Sequence, residues 1–259
     1  MPDRIRLDGR VAVVTGAAGV IGTATIRLLA ERGARIVAVD RKPQDLQTAV
    51  RDLPTSAQAL AITADVTSED EVAEYVRTAV DKFGTIDVFY NNAGIEGDIA
   101  PITRYSLETF RRVIDVNVVG VFLGLKHVLP VMLKQSKGSI INTASIAGLI
   151  GSPEVAVYSA SKHAVIGLTK SAAQECSATG VRVNCVCPGL IDSRMLSAII
   201  EGRNPGNTPV PNDKIVVRIP ARRLGLASEV ASVVAFLASD EASYVSGSAY
   251  TVDGGRTAA

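Results

Sequence analysis

Cysteine and histidine are scarce in this chain of 259 residues, which has three cysteines and two histidines. No two cysteines form a CxxC pair, and Cys185 and Cys187 alternate along the apolar run 181–187, as small core residues do. An odd cysteine count without paired spacing argues against a disulfide framework, and the absence of clustered Cys and His ligands argues against a metal site. We therefore predict that the protein binds no metal.

The chain also lacks an excess of charge of either sign. Its 27 Lys and Arg residues face 26 Asp and Glu residues, which gives a net charge of +1, and aromatic residues make up only 4%. A nucleic-acid-binding protein is expected to carry a basic patch, often interleaved with aromatic side chains. We therefore expect a small-molecule substrate and no nucleic-acid partner.

Long apolar runs are missing as well. No uninterrupted run approaches the ~18 apolar residues of a membrane-spanning helix. Residues 1–10 are polar and charged where a signal peptide has its apolar core. These features predict no membrane partner and a cytoplasmic location.

What the chain does have is a regular alternation of strand-like and helix-like segments. Hydrophobic residues make up 47% of it, enough for a large core, and no linker or internal repeat interrupts the pattern. Short spacings between strands and helices imply parallel pairing with right-handed crossovers. The sequence predicts one α/β domain over residues 1–259, a doubly wound, Rossmann-like sheet of about seven parallel strands flanked by helices. The predicted strands are 11–15, 35–40, 59–64, 86–91, 138–145, 181–187 and 249–255.

Several helix ends are also predictable. Ser68 and Glu71 have the spacing of a capping box and should begin a helix that ends at Gly84. A long helical segment should extend from Ser106 to about Lys134, and Ser228 should cap a helix over residues 229–237.

Residues 194–220 depart from the alternation. The segment contains two glycines and four prolines, so we expect only one short helix, over residues 195–200. Long loops inside compact domains are usually functional, and we expect a substrate lid here.

A candidate catalytic group lies in a predicted helix. Tyr158 and Lys162 are four residues apart and so share one helical face. The Lys ammonium would favour the phenolate and lower the pKa of Tyr158. Ser145 ends a predicted strand, at the edge where open α/β sheets bind ligands, so it can meet Tyr158 over one substrate oxygen.

A candidate cofactor site follows the first predicted strand. The glycine turn formed by Gly16, Gly19 and Gly22 leads directly into a helix, whose free N–H groups attract a pyrophosphate. Asp40 ends the next predicted strand, 18 residues after Gly22, close to the distance at which a carboxylate binds the adenosine ribose. We predict NAD as the cofactor.

Together these motifs resemble the short-chain dehydrogenase/reductase family over essentially the whole length of the chain. The resemblance rests on eight motifs in order: TGAAGVIG at 15–22, Asp65-Val66, NNAG at 91–94, Asn117, Ser145, YxxxK at 158–162, Pro188-Gly189 and VDGG at 252–255.

The family implies a role for each motif. Tyr158 would be the catalytic acid/base, Ser145 would bind the substrate oxygen, and Lys162 would also hold the nicotinamide ribose. Asn117 would support a water and proton relay to Lys162. The cofactor site would comprise Gly16, Gly19, Val20, Ile21, Gly22, Asp40, Arg41, Asp65, Val66, Asn91, Asn92, Ala93, Gly94, Tyr158, Lys162, Pro188, Gly189, Ile191 and Ser193. The family also implies a homotetramer built on the helices that carry Asn117 and Tyr158 and on the last strand.

Two positions differ from the family's usual pattern. Val20 stands where the middle glycine of the turn is usual, and we expect it to lie already in the helix, with Gly19 making the tight turn. Ser193 stands where threonine is common, and it keeps the hydroxyl.

The predicted substrate site lies between the catalytic residues and the lid. Its residues are Ser145, Tyr158, Ile95, Ile146, Leu190, Met195, Leu196 and Ile199, and the last six are aliphatic or thioether side chains. They favour a small, mostly apolar secondary alcohol. Arg194 or Arg203 in the lid could instead bind an anionic substrate.

Three functions remain open at this stage. The first is an NAD-dependent alcohol dehydrogenase. The second is an NADP-dependent reductase, for instance of 3-oxoacyl thioesters, and Asp40 argues against it. The third is a dinucleotide-binding protein without activity, which would be expected to lack one of Asn117, Ser145, Tyr158 and Lys162, yet all four are present.

Overall fold

A computed structural model of the protein describes residues 5–204, 206 and 212–258. The strands are β1 (Val11–Thr15), β2 (Arg35–Asp40), β3 (Ala59–Thr63), β4 (Val88–Asn91), β5 (Gly138–Thr143), β6 (Val181–Pro188) and β7 (Ala249–Val252). The α-helices are α1 (Val20–Glu31), α2 (Pro43–Arg51), α3 (Glu69–Phe83), α4 (Leu107–Ile114), α5 (Gly120–Gln135), α6 (Ala156–Cys176), α7 (Arg194–Gly202), α8 (Asn212–Val216) and α9 (Ala227–Ala238).

The seven strands form one parallel sheet in the order β3-β2-β1-β4-β5-β6-β7. The strand order reverses between β1 and β4, so the carboxyl ends of these two strands open a crevice at the edge of the sheet. The predicted fold class is confirmed, and the ends of the predicted strands agree with the structure to within three residues.

The central strands are buried on both faces because helices cover the sheet on each side. All residues of β1, β4 and β5 are buried, and two apolar clusters, one on each face, make up the core. The first includes Phe89 and Ile140, and the second includes Tyr90 and Ile141. Neighbouring residues of one strand therefore serve opposite layers, as strand geometry requires.

Half of the predicted capping box is present at α3. The Ser68 hydroxyl accepts a hydrogen bond from the Glu71 N–H, but the Glu71 carboxylate accepts from the Asp65 N–H at 2.8 Å and not from Ser68. Gly84 ends the helix with φ 80°, a left-handed conformation that glycine adopts without strain.

The long helical segment predicted from Ser106 to about Lys134 is interrupted. Residues Asp115–Val119 between α4 and α5 form a π-helical turn that carries Asn117, and π turns are frequent at functional sites. Leu107–Gln135 is long and apolar enough to cross a membrane, but the core helices of soluble proteins meet the same test of length and composition. Here Val128 and Met132 pack in the core.

Two local predictions were wrong. Ser228 does not cap a helix: α9 begins at Ala227, two residues before the predicted start, because the Glu229 carboxylate reaches back to the Leu226 N–H at 2.8 Å. The segment 194–220 holds two helices, α7 and α8, where only one was expected. Residues 205 and 207–211 of the predicted lid lie outside the described residues.

Candidate active site

A cavity of about 680 Å³ opens at the carboxyl ends of the strands. The glycine turn, the ends of β2 and β3, the loops after β4, β5 and β6, and helices α6, α7 and α8 all contribute to its wall. It is lined by every predicted site residue except Gly22, Asn91 and Asn117.

Tyr158, Ser145 and Lys162 come together in this cavity. Tyr158 lies in the first turn of α6, and Ser145 follows β5 at the start of a short 3₁₀ turn, where its hydroxyl accepts a hydrogen bond from the Ala147 N–H at 3.1 Å. Lys162 is only 3% exposed, and its Nζ lies 5.6 Å from the centre of the Tyr158 ring.

The protonation of these groups differs in one respect from the sequence prediction. Burial raises the pKa of Tyr158 to about 12, although a hydrogen bond with Ser145 opposes the shift. Burial also lowers the pKa of Lys162 to about 8. The expected lowering of the Tyr158 pKa by Lys162 is thus absent in the protein alone. Loss of water on burial is the largest effect on the phenol, and the Lys162 ammonium donates to the Thr143 carbonyl at 2.8 Å.

Asn117 supports the site from behind the cavity wall. Its amide accepts from the Ile95 N–H at 2.8 Å and donates to the Ile95 carbonyl at 2.9 Å and to the Ser161 hydroxyl at 3.0 Å. The Ser161 hydroxyl in turn donates to the Tyr158 carbonyl at 2.7 Å. The π-helical turn thus connects the loop after β4 to α6.

The glycine turn forms a cradle between β1 and α1. Gly16 has φ 62°, and a Cβ there would lie 2.9 Å from the Ala93 Cα, so this position requires glycine. A Cβ on Gly22 would lie 2.1 Å from the Gly16 carbonyl oxygen, which makes Gly22 a packing residue of the turn.

Val20 begins α1, as predicted, whereas the tight turn falls at Gly16 and not at Gly19, whose φ is −74°. No side chain caps α1, and Gly16, Gly19, Val20 and Ile21 line the cavity beside its N-terminus. Unpaired N–H groups at a helix start attract an anion. The turn therefore fits the pyrophosphate of a dinucleotide.

Asp40 lies at the end of β2 on the cavity wall. Its carboxylate accepts from the N–H groups of Ala18 and Lys42, both at 3.1 Å. These bonds fix the carboxylate next to the glycine turn, and Arg41 lines the cavity beside it.

The two asparagines after β4 have different places. Asn91 is buried, and its amide donates to the Val121 carbonyl at 3.0 Å, so it holds α5 against the sheet. Asn92 lines the cavity, donates to the carbonyls of Thr15 and Gly16, and accepts from the Thr143 hydroxyl at 3.1 Å. Asn92 therefore joins the ends of β1, β4 and β5.

The half of the cavity beyond Ser145 is mostly apolar. All the predicted wall residues line it, and Ile150, Pro153, Val155, Ile200 and Ile215 add to them. These five were not predicted.

The two lid arginines that were candidates for anion binding are engaged within the protein. Arg194 forms a two-pronged ion pair with Glu96, at 2.9 Å and 3.3 Å. Arg203 donates to the Pro153 carbonyl at 2.7 Å and lies 3.6 Å from the Glu154 carboxylate.

Three other cations of the cavity wall, Lys214, Arg218 and Arg256, were missed. Lys214 lies in α8 and Arg218 in the turn that follows it, so no periodic signal in the sequence pairs them.

Comparison with known proteins agrees with this geometry. A family profile described as enoyl-(acyl carrier protein) reductase matches residues 16–257. Levodione reductase of Leifsonia aquatica is 39% identical over 257 residues, which cover 98% of this chain and 96% of that protein. The FabG 3-oxoacyl-acyl-carrier-protein reductase of Thermotoga maritima is 41% identical over 97% of this chain and 99% of its own. Cyclohexanol dehydrogenase of an Acinetobacter strain is 40% identical over 97% of this chain and 96% of its own.

Solved structures give the same result. The crystal structure of levodione reductase superposes with a TM-score of 0.95, covering 98% of this chain and 100% of that chain. NAD⁺-bound xylitol dehydrogenase, 37% identical, superposes with a TM-score of 0.91 over 96% of this chain and 99% of its own. These relatives support a nicotinamide dinucleotide cofactor and a small-molecule substrate. The chain therefore belongs to the short-chain dehydrogenase/reductase family and is an oxidoreductase that acts on CH–OH groups.

Proposed function

We propose that the protein is an NAD-dependent dehydrogenase that oxidises a small, mostly apolar secondary alcohol, cyclic or aromatic, to its ketone. The observation that carries this proposal is the convergence of Ser145, Tyr158 and Lys162 in a cavity whose remaining wall is mainly aliphatic. Nothing in this constellation is a nucleophile held beside a base, so proton transfer is its natural chemistry.

The catalytic residues divide the work between them. The Ser145 hydroxyl donates a hydrogen bond to the substrate oxygen and holds it against Tyr158. The phenolate oxygen of Tyr158 takes the hydroxyl proton. A bound oxidised nicotinamide supplies the acceptor for the hydride that leaves the carbinol carbon.

The high pKa of Tyr158 in the protein alone would hinder this step. A positive charge that enters the cavity with the cofactor stabilises the phenolate, as does the Lys162 ammonium one helical turn away. Asn117, which anchors both Ile95 and Ser161, acts as a positioning residue for α6 and for the proton relay to Lys162.

We assign the cofactor contacts as follows. The glycine turn and the start of α1 hold the pyrophosphate, and the Asp40 carboxylate accepts from the ribose 2′-hydroxyl, which favours NAD over NADP. Asp65 and Val66 face the adenine, the loop 92–94 forms the cavity wall, and Ile191 and Ser193 meet the carboxamide. Gly22 and Asn91 act behind this surface, by packing.

The substrate assignment rests on the apolar wall. Burying apolar ligand surface contributes roughly 25 cal/mol per Å², which can orient a ring without charge recognition. Relatives named for levodione and cyclohexanol favour a cyclic alcohol. A relative named as a 3-oxoacyl-acyl-carrier-protein reductase keeps a thioester reductase as the second candidate.

A direct assay separates the two candidates. The purified protein would be given NAD with cyclohexanol and 1-phenylethanol, and separately with a 3-hydroxyacyl thioester, and NADH absorbance would be followed. We expect kcat/KM for the cyclic alcohols to exceed that for the thioester. A thioester at least tenfold better than either alcohol would establish the second candidate instead.

We further propose a homotetramer of single-domain subunits in which residues 194–220 form a substrate lid. Exposed apolar side chains on α4 and α5, namely Leu107, Phe110, Phe122 and Leu133, support a subunit contact there.

Contacts from both ends of α7, Arg194 to Glu96 and Arg203 to Pro153, support a lid that closes over the cavity. A cytoplasmic location remains part of the proposal and fits three free cysteines.

A further inference from the structure

The charges on the cavity wall are unevenly distributed. Its two carboxylates lie on the side proposed for adenosine: Asp40 ends β2, and Asp65 follows β3. The rest of the wall, among the described residues, has no carboxylate, although five cations besides Lys162 lie there: Arg194, Arg203, Lys214, Arg218 and Arg256.

Two of these five are neutralised within the protein. Arg194 is paired with Glu96, and Arg203 lies against Glu154. The other three have no carboxylate within 4 Å in the part of the chain that the structure describes. Asp253, near Arg256 in the chain, is already occupied, since it accepts from the N–H and hydroxyl of Thr257 at 2.9 Å and 2.6 Å.

The segment that carries these cations is held against the active-site loop. The Gly225 N–H donates to the Leu190 carbonyl at 2.9 Å, and the Ala221 N–H donates to the Gly254 carbonyl at 3.1 Å. The Arg256 guanidinium itself donates to the Arg218 carbonyl at 3.1 Å. The stretches that carry Arg218 and Arg256 are therefore tied to each other and to the loop after β6.

Cations that share a cavity without a counter-charge repel each other, and an anion that enters relieves this repulsion. Guanidinium groups bind carboxylates through short, charge-assisted hydrogen bonds. The same cavity has aliphatic walls formed by Ile199, Ile200 and Ile215. The ligand that satisfies both features has an apolar body and one acidic group.

We propose that Lys214, Arg218 and Arg256 form a subsite for a carboxylate on the substrate, separate from the carbinol oxygen that Ser145 and Tyr158 hold. The proposal rests on the proposed dehydrogenase function and narrows its substrate class to hydroxy acids with an apolar skeleton. The pyrophosphate of the cofactor is the other anion in this cavity. The glycine turn and the uncapped N-terminus of α1, which line the cavity with other residues, already fit that group.

Equilibrium binding tests the subsite without requiring turnover. Calorimetry on the NADH-loaded protein would compare cyclohexanecarboxylate with cyclohexanecarboxamide, which has nearly the same shape and no charge. We expect the carboxylate to bind at least tenfold more tightly. Raising the salt concentration from about 0.01 M to about 1 M shortens the Debye length from ~30 Å to ~3 Å and should weaken the carboxylate alone.

The double variant Lys214→Met/Arg218→Met should abolish this difference and leave binding of the amide within a factor of two. Arg222→Met is the matched control, because Arg222 belongs to the same segment, donates to the Val217 carbonyl at 2.9 Å and does not line the cavity. The control should keep the wild-type preference.

Three results would overturn the subsite: equal binding of acid and amide in the wild type, loss of the preference in Arg222→Met, or a tenfold weakening of NADH binding in the double variant. The last would assign the cations to the cofactor. Failure to oxidise any alcohol would contradict the dehydrogenase function but would leave the binding preference measurable.

Discussion

The ammonium of Lys162 lies 5.6 Å from the centre of the Tyr158 ring and donates its hydrogen bond to the Thr143 carbonyl, at the end of β5. The two side chains lie one turn apart on α6, and the hydrogen bond to Thr143 fixes the Lys162 side chain against the sheet. In the protein alone, burial raises the pKa of the phenol and lowers that of the ammonium, so both groups resist charging. A positive charge that enters with the cofactor would favour the charged form of Tyr158.

Replacing Tyr158 with Phe tests the proton-transfer role. The change removes the hydroxyl that takes the proton and leaves the cofactor cradle intact. We expect kcat to fall by about 10²-fold to 10⁴-fold, while NADH binding, followed by fluorescence, changes little. Tyr75→Phe is the matched control, since Tyr75 is buried in α3 and does not line the cavity. The Tyr75→Phe protein should keep the wild-type activity. Retention of a tenth of the wild-type rate by Tyr158→Phe would exclude Tyr158 as the acid/base.

Cofactor choice should depend on Asp40. A 2′-phosphate about 4 Å from this carboxylate would be repelled by on the order of 4 kcal/mol at an effective dielectric of ~20, which is nearly a thousandfold. We expect NAD to be preferred by about that factor, and Asp40→Ser to reduce the preference at least tenfold. Arg41→Ala should not reduce it. Wild-type specificity constants for NAD and NADP within tenfold of each other would show that Arg41 governs the site instead.

Much of the fold followed from local patterns. Strand runs such as 11–15 and 35–40 are short, apolar and β-branched, and each is followed by a helix, so parallel pairing was predictable. The same reasoning predicted that Ser145 and Tyr158 lie close together. Ser145 follows a strand, and Tyr158 lies in the next helix, facing the carboxyl ends of the strands. Gly16 and Asp40 were predictable as site residues because the turn after β1 places Gly16 and the end of β2 places Asp40 at the edge of the sheet.

Other features depend on contacts between distant residues. Asn91 and Gly22 have the same residue types as true wall residues, and only tertiary packing turns them away from the cavity. Helix α9 begins two residues early because the Glu229 carboxylate reaches back over one turn to the Leu226 N–H. Helix α8 is only five residues long and follows a glycine- and proline-rich stretch, so it gives no periodic signal. The sequence therefore did not predict that Lys214 and Arg218 line the cavity.

The subunit contact can be tested at Phe122, which is 48% exposed on α5. A carboxylate there would have to be buried in a subunit interface, and burying a charge without a partner is costly. We expect the wild type to be a tetramer at micromolar concentration by light scattering, and Phe122→Glu to shift it to smaller species with an unchanged circular dichroism spectrum. Lys82→Glu, on the exposed face of α3, should remain assembled. A monomeric wild type would contradict the proposed assembly.

Lys162 should give the folded protein a specific pH dependence. Its pKa is about 8 when folded and near 10.5 when unfolded, so between these values the unfolded chain binds more protons. Stability from this group therefore rises with pH across that window, and the cost of burying the charge is fully present below about pH 8. Urea unfolding at pH 7.5 and 9.5, compared with Lys162→Met, should show a gain on the order of 2 kcal/mol specific to the wild type. An equal change in both proteins would show that other groups are responsible.

The Glu96–Arg194 pair should tune the catalytic base through its net charge. Burial is the largest cause of the raised pKa of Tyr158, and the negative charge of Glu96 raises it further. Arg194 of α7 forms an ion pair with Glu96. Alcohol oxidation needs the phenolate, so kcat/KM should rise with pH through the pKa that Tyr158 has when the cofactor is bound. Glu96→Gln removes the negative charge and should move the rise to lower pH. Arg194→Gln leaves that charge unbalanced and should move it to higher pH. Because both variants break the same ion pair, a purely structural role would shift both profiles alike or neither, so opposite shifts are the result that only charge can produce.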